Sequence, residues 1–82
     1  MIIVNVKVPA LEKVYNFSLE EKALVGEIIE EIVELVTQRD QLTFGGDIQD
    51  MVLYLREDGI HLDRDSTLDK YGIQGGSELI LV

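Results

Sequence analysis

Thr67-Leu68-Asp69-Lys70-Tyr71-Gly72-Ile73-Gln74-Gly75-Gly76-Ser77-Glu78-Leu79-Ile80-Leu81-Val82 carries the strongest fold signal in the chain. It reads as a single helical turn, a Gly-rich loop and a closing apolar strand, Glu78 to Val82. Asp65 or Ser66, just upstream, is suited to cap the turn that runs through Tyr71. Gly75-Gly76 is read as a turn whose glycines supply positive φ. A lone strand of this kind needs a sheet to join, and the remainder of the chain supplies one.

Working back, Ile60-His61-Leu62 is a short strand, the fourth of five. Asp58-Gly59 marks the turn before it, and Met51 to Leu55 forms the third strand. Residues 40–50 are the least regular. Gly45-Gly46-Asp47 signals a turn there, and Leu42, Phe44 and Ile48 are candidate anchors for an exposed loop. At the start, Met1 to Val8 carries Ile2, Val4, Val6 and Val8 on one face, with Asn5 and Lys7 on the other. Pro9 stops that strand. After a connection over Ala10 to Lys13, Val14 to Leu19 alternates again with Tyr15, Phe17 and Leu19 inward, so the simplest arrangement is a hairpin.

The period then changes. Val25, Ile28, Ile29, Ile32, Val33, Leu35 and Val36 recur at three- and four-residue spacing, which predicts an amphipathic helix over about residues 24–38. Glu27, Glu30, Glu31 and Glu34 form its opposite face. Their like-charge i,i+4 pairs cost about 0.2–0.5 kcal/mol each. Each fully buried aliphatic contributes about 1.5–3 kcal/mol, so the apolar face wins. Arg39 suits the negative end of the helix dipole. No Ser, Thr, Asp or Asn directly precedes Val25, so the N-cap is weak.

The totals bound the function. Eighty-two residues make one small domain, residues 1–82, and 46% apolar content without cysteine means that packing alone must hold it together. A formal charge of −9, with seven dispersed basic residues, argues against nucleic acid and favours a basic protein partner. No basic leader precedes the first strand, and no apolar run is long enough for a bilayer. The expectation is a cytoplasmic protein, with recruitment to the inner membrane face left open. It is expected as a monomer or weak homodimer, without cofactor.

The element order β-β-α-β-β-turn-β is that of the β-grasp, an α+β fold in which a five-stranded mixed sheet wraps one helix. Thr67-Leu68-Asp69-Lys70-Tyr71-Gly72-Ile73-Gln74 closely resembles the ubiquitin segment in which Thr-Leu leads to Tyr and then Ile-Gln. That resemblance implies core positions for Leu68 and Ile73, a Tyr71 that braces the adjoining loop, and Leu79 and Leu81 facing the helix. Among ubiquitin-like proteins the chain is most similar to the YukD/EsaB group. The similarity lies in Met1-Ile2-Ile3-Val4-Asn5-Val6, in Ile28-Ile29-Glu30-Glu31-Ile32-Val33-Glu34, and in the Tyr71 to Val82 ending. The group implies a non-catalytic accessory of bacterial type VII secretion of WXG-motif proteins, acting by contacts with cytoplasmic domains of the membrane machinery.

In the alternating register Val52, Tyr54, Ile80 and Val82 point away from the helix, and the resemblance to ubiquitin implies an apolar recognition surface on that outer face of the sheet, with these four as candidate protein-binding residues. The acidic row Glu27, Glu30, Glu31 and Glu34 is a solvated face or a second docking surface for a basic partner. Gly75-Gly76 also invites comparison with modifiers and sulfur carriers activated at a terminal Gly-Gly. Here the pair precedes strand residues, which disfavours that alternative; a generic β-grasp adaptor that adds a partner strand is the other. Asp63-Arg64-Asp65-Ser66-Thr67 has the spacing of a phosphatase nucleophile loop but lacks the large α/β domain such a loop needs. A solvated turn is the preferred reading. His61 with Asp63 and Asp65 is too sparse a set to expect a metal.

Overall fold

A computed structural model of the chain describes residues 1–41 and 47–82. The predicted turn Gly45-Gly46-Asp47 and the anchors Leu42 and Phe44 therefore fall wholly or partly outside the described residues. β1 (Ile2–Val8) and β2 (Lys13–Leu19) pair antiparallel from Ile2↔Leu19 to Val8↔Lys13. The connection is a single 3-10 turn, Pro9–Leu11, with Pro at its start, where the missing N–H costs nothing. Glu12 follows at φ 53, a left-handed position that lets the chain reverse.

The helix α1 runs Val25–Asp40, beginning one residue later and ending two residues later than its periodicity predicts; Asp40 is held in the last turn by tertiary bonds described below. Its buried stripe is Val25, Ile28, Ile29, Ile32, Val33 and Val36. Leu35, counted with these from its spacing, is instead 36% exposed on the flank of the stripe. The weak N-cap has a structural remedy. Ser66 and Arg64 direct backbone carbonyls at the N–H groups of Val25 and Gly26, at 2.8 and 3.0 Å. These carbonyls satisfy donors that a capping side chain would otherwise serve.

Past Asp47 the chain makes a short turn, Ile48–Asp50, capped by the Asp47 carboxylate accepting from the Gln49 N–H. β3 is Leu53–Leu55, shorter at its start than the expected strand, since Met51 closes the preceding turn by donating to Ile48. Val52 nonetheless exchanges both backbone bonds with Val82, at 2.8 and 2.9 Å. β4 is only Ile60–His61, and Leu62 is buried beyond it. The Asp58-Gly59 turn needs its glycine, at φ 63.

A 3-10 turn, Leu68–Tyr71, precedes β5 (Glu78–Leu81). Neither Asp65 nor Ser66 caps it: Thr67 occupies the N-cap position, and no side chain makes a cap bond. Ser66 serves α1 with its carbonyl, and Asp65 is engaged through its N–H by the Asp63 carboxylate. Leu68 and Ile73 are buried, and the Tyr71 hydroxyl accepts from the Asp63 N–H at 2.9 Å, bracing the loop.

The sheet order is β2-β1-β5-β3-β4, so β5 lies in the centre, parallel to β1 and antiparallel to β3. α1 covers one face. Val4, Val6, Val8, Leu53, Leu79 and Leu81 meet Ile28, Ile29 and Ile32 in one core, and among the described residues no polar side chain is buried with them. This is the ubiquitin-like β-grasp.

The C-terminal turn of α1 is tied to β2. The Tyr15 hydroxyl donates to Asp40, Lys13 Nζ lies 3.4 Å from the same carboxylate, and Arg39 stacks over the Tyr15 and Phe17 rings. The Tyr15 hydroxyl, and after it Lys13 and Arg39, hold the Asp40 carboxyl below its usual range, against partial burial. A carboxylate depressed in the folded state contributes stability that is present above its unfolded pKa and lost as pH falls through the folded value. Asp40→Asn is therefore expected to lower the melting temperature at neutral pH. The deficit should shrink as pH drops below about 4, which scanning calorimetry across pH 2–7 would show.

Candidate protein-docking face

Strand alternation decides which side chains leave the core. Leu53 and Leu55 on β3, and Leu79 and Leu81 on β5, point at α1, so Val52, Tyr54, Ile80 and Val82 point away from it. The register joins them. Tyr54 stands opposite Ile80 and Val52 opposite Val82, so the four form two adjacent cross-strand pairs. Tyr54, Ile80 and Val52 are half-buried by their neighbours, while Val82 is 53% exposed.

The Ile80–Tyr54 pair belongs to a row that crosses all five strands. Lys7 neighbours Ile80, Val14 neighbours Lys7, and His61 neighbours Tyr54. The Tyr54 and His61 rings lie 5.5 Å apart, tilted by 37°. Val14 is 62% exposed and extends the aliphatic surface to the sheet edge. Sequence alternation already placed Val14 outward. Without the register, nothing tied it to residues some seventy positions away.

The next row is polar. Asn16 donates to Asn5, Asn5 neighbours Glu78, and Arg56 pairs with Glu78 at 2.6 Å. A shallow depression lies between Lys7, Val14, Arg56 and Glu78. The face thus combines an aliphatic and aromatic centre with a border of nearly balanced charge.

Glu27, Glu30, Glu31 and Glu34 are all exposed on α1, whose buried stripe packs on the inner side of the sheet. The two candidate surfaces therefore look in opposite directions, and a flat contact takes one or the other. A wider, open groove on the helix side is lined by Glu30, Glu34, Thr37 and Gln38 around Val33 and Ile48. Among the described residues no three His, Asp or Glu side chains are grouped to hold a metal ion. Gly75-Gly76 sits in the turn that feeds β5, with Gly76 at φ 89 and its N–H donating to Ile3 at 2.8 Å. No helix among the described residues is long and apolar enough to cross a membrane.

Comparisons with solved structures agree on the class. The fold is similar to a ubiquitin-like domain of an Arabidopsis thaliana protein, at 28% identity and a TM-score of 0.73, covering 99% of this chain and 74% of that one. It is also similar to the ubiquitin-like domain of Plasmodium falciparum Dsk2, at 20% identity and a TM-score of 0.76, covering 99% and 95%. These likenesses define a ubiquitin-like domain. The particular family comes from the sequence model for the YukD protein of the WXG100 protein secretion system, which matches residues 3–81; the chain belongs to that family. No curated protein sequence matches.

Proposed function

We propose that this chain is a non-catalytic, cytoplasmic accessory of a WXG-protein (type VII) secretion system. It docks through the outer sheet face onto a cytoplasmic domain of the membrane machinery. Family membership over residues 3–81 is the observation that carries the secretion role. The docking surface is supported by the cross-strand cluster of Ile80, Tyr54, Val52 and Val82, an outward apolar group bordered by charge. A central aromatic with aliphatic neighbours is the composition of an interface anchor, and the Arg56–Glu78 pair suits a polar rim. The acidic α1 face remains free for solvent or for a second, basic contact.

The turn location of Gly75-Gly76 weighs against a modifier or sulfur-carrier role. A carboxylate generated at Gly76 would remove β5, the strand that joins the two halves of the sheet. Neither nucleic acid nor membrane insertion is part of this role, given a net charge of −9 with seven dispersed basic residues.

Ile80→Asp tests the docking face. The side chain points outward and is only half-buried, so the circular dichroism spectrum should be unchanged. Co-purification with the membrane components should fall at least about tenfold, the loss of one hot-spot residue. Undiminished co-purification would remove the sheet face from the proposal.

A further inference from the structure

The sheet order leaves β2 and β4 at the edges, and β2 is much the longer, with seven residues against two. Its free backbone groups follow from β1. The Asn5 N–H donates to Ser77 and the Ile3 carbonyl accepts from Gly76, so Ile3, Asn5 and, by alternation, Lys7 turn their backbone groups toward β5. Val4, Val6 and Val8 then bond β2 through Phe17, Tyr15 and Lys13. Val14, Asn16 and Ser18 are left with their N–H and C=O groups directed out from the edge. Natural edges are usually blunted by an internal Lys, a Pro or a bulge. From Val14 to Leu19 there is none, and the pairing with β1 is unbroken.

Charge indicates what this edge accepts. Arg39 lies over the Tyr15 and Phe17 rings, level with Asn16, and makes no ion pair among the described residues. Lys13 is matched by Asp40. Glu12 precedes the strand and Glu20 follows it, so the edge reads acidic, basic, acidic. A second copy is a poor occupant. Centred antiparallel pairing sets Glu12 against Glu20, centred parallel pairing sets each against itself, and each chain carries −9.

We infer that the β2 edge takes an extended segment of a partner protein as a sixth strand, a segment with a carboxylate near its centre and Lys or Arg toward its ends. Backbone pairing to Val14, Asn16 and Ser18 supplies the attachment, and Arg39 selects the central carboxylate. This surface is distinct from the docking face and does not depend on it.

The test is amide exchange by NMR with a capped peptide, Lys-Thr-Val-Glu-Val-Thr-Lys, added to millimolar concentration. In the isolated protein the amides of Val14, Asn16 and Ser18 should exchange at least about tenfold faster than those of Tyr15 and Phe17, and saturating peptide should slow them at least about tenfold. A peptide N-methylated at alternate amides should not bind. Replacing its Glu by Lys should weaken binding about three- to fivefold, the range for an exposed ion pair, and this arm leaves the protein untouched. Arg39→Gln should reduce the same preference. Binding that leaves the three amides unprotected, or no spectral change at millimolar peptide, would overturn the inference. So would protection that grows with protein concentration alone, which would assign the edge to a second copy.

Discussion

Leu79→Ala is expected to destabilise the domain by about 3 kcal/mol, within the range of about 2–5 kcal/mol for truncating a buried Leu. Leu79 is 1% exposed and stands on the central strand, between Val6 of β1 and Leu55 of β3. The strand it occupies is bonded on both sides, so local relaxation into the cavity is restricted, and restricted collapse keeps the cost high. A domain of this size has only about 5 kcal/mol or somewhat more in total. The variant should therefore melt at least about 10 °C lower, since each kcal/mol is worth about 4–8 °C in domains this small. Urea unfolding would read the loss directly. The contrast with Ile80→Asp is instructive: adjacent residues on one strand, one expected to damage the fold and the other a surface.

Arg64→Met should show the second largest loss, about 2 kcal/mol, concentrated at one corner. The Arg64 guanidinium donates to the carbonyls of Ile48 and Met51 at 2.5 and 2.9 Å. Its own carbonyl accepts from the Gly26 N–H in the first turn of α1. One residue thus joins the loop before β5, the helix start and the entry to β3. Hydrogen bonds from a charged donor contribute about 1.5–3 kcal/mol, and the site is part-buried, which favours the middle of that range. The backbone carbonyl survives the substitution, so the helix should persist while the segment around Ile48–Asp50 loosens. Hydrogen exchange should accelerate at the Met51 amide more than at Ile32. Equal acceleration at both would mean that Arg64 acts only through global stability.

Period and punctuation made most of the fold legible. The alternations in residues 2–8 and 14–19, the helical stripe and the Thr67 to Gln74 segment each identify their element before any coordinates. What escaped depends on residues distant in sequence. Arg64 reads as part of a solvated acidic turn because its acceptors lie sixteen and thirteen positions away. The N-terminus of α1 reads as uncapped because its caps are carbonyls of Ser66 and Arg64, and every residue carries a carbonyl. Leu35 reads as core because three- and four-residue spacing marks a stripe but not where its flank ends. The outward sense of Tyr54 and Ile80 followed from alternation and resemblance. Their pairing with each other, and the extension through Lys7 to Val14, is a property of the register alone. The edge of β2 was equally hidden, since strand order is not written in any one segment.

The most direct measurement of the docking account is site-specific photo-crosslinking in cells that carry the secretion system. A photoreactive amino acid would be placed at Tyr54 on the sheet face or at Glu31 on the helix. Docking through the sheet face predicts adducts to a cytoplasmic domain of the membrane machinery from Tyr54, and few or none from Glu31. Adducts from Glu31 with none from Tyr54 would contradict it.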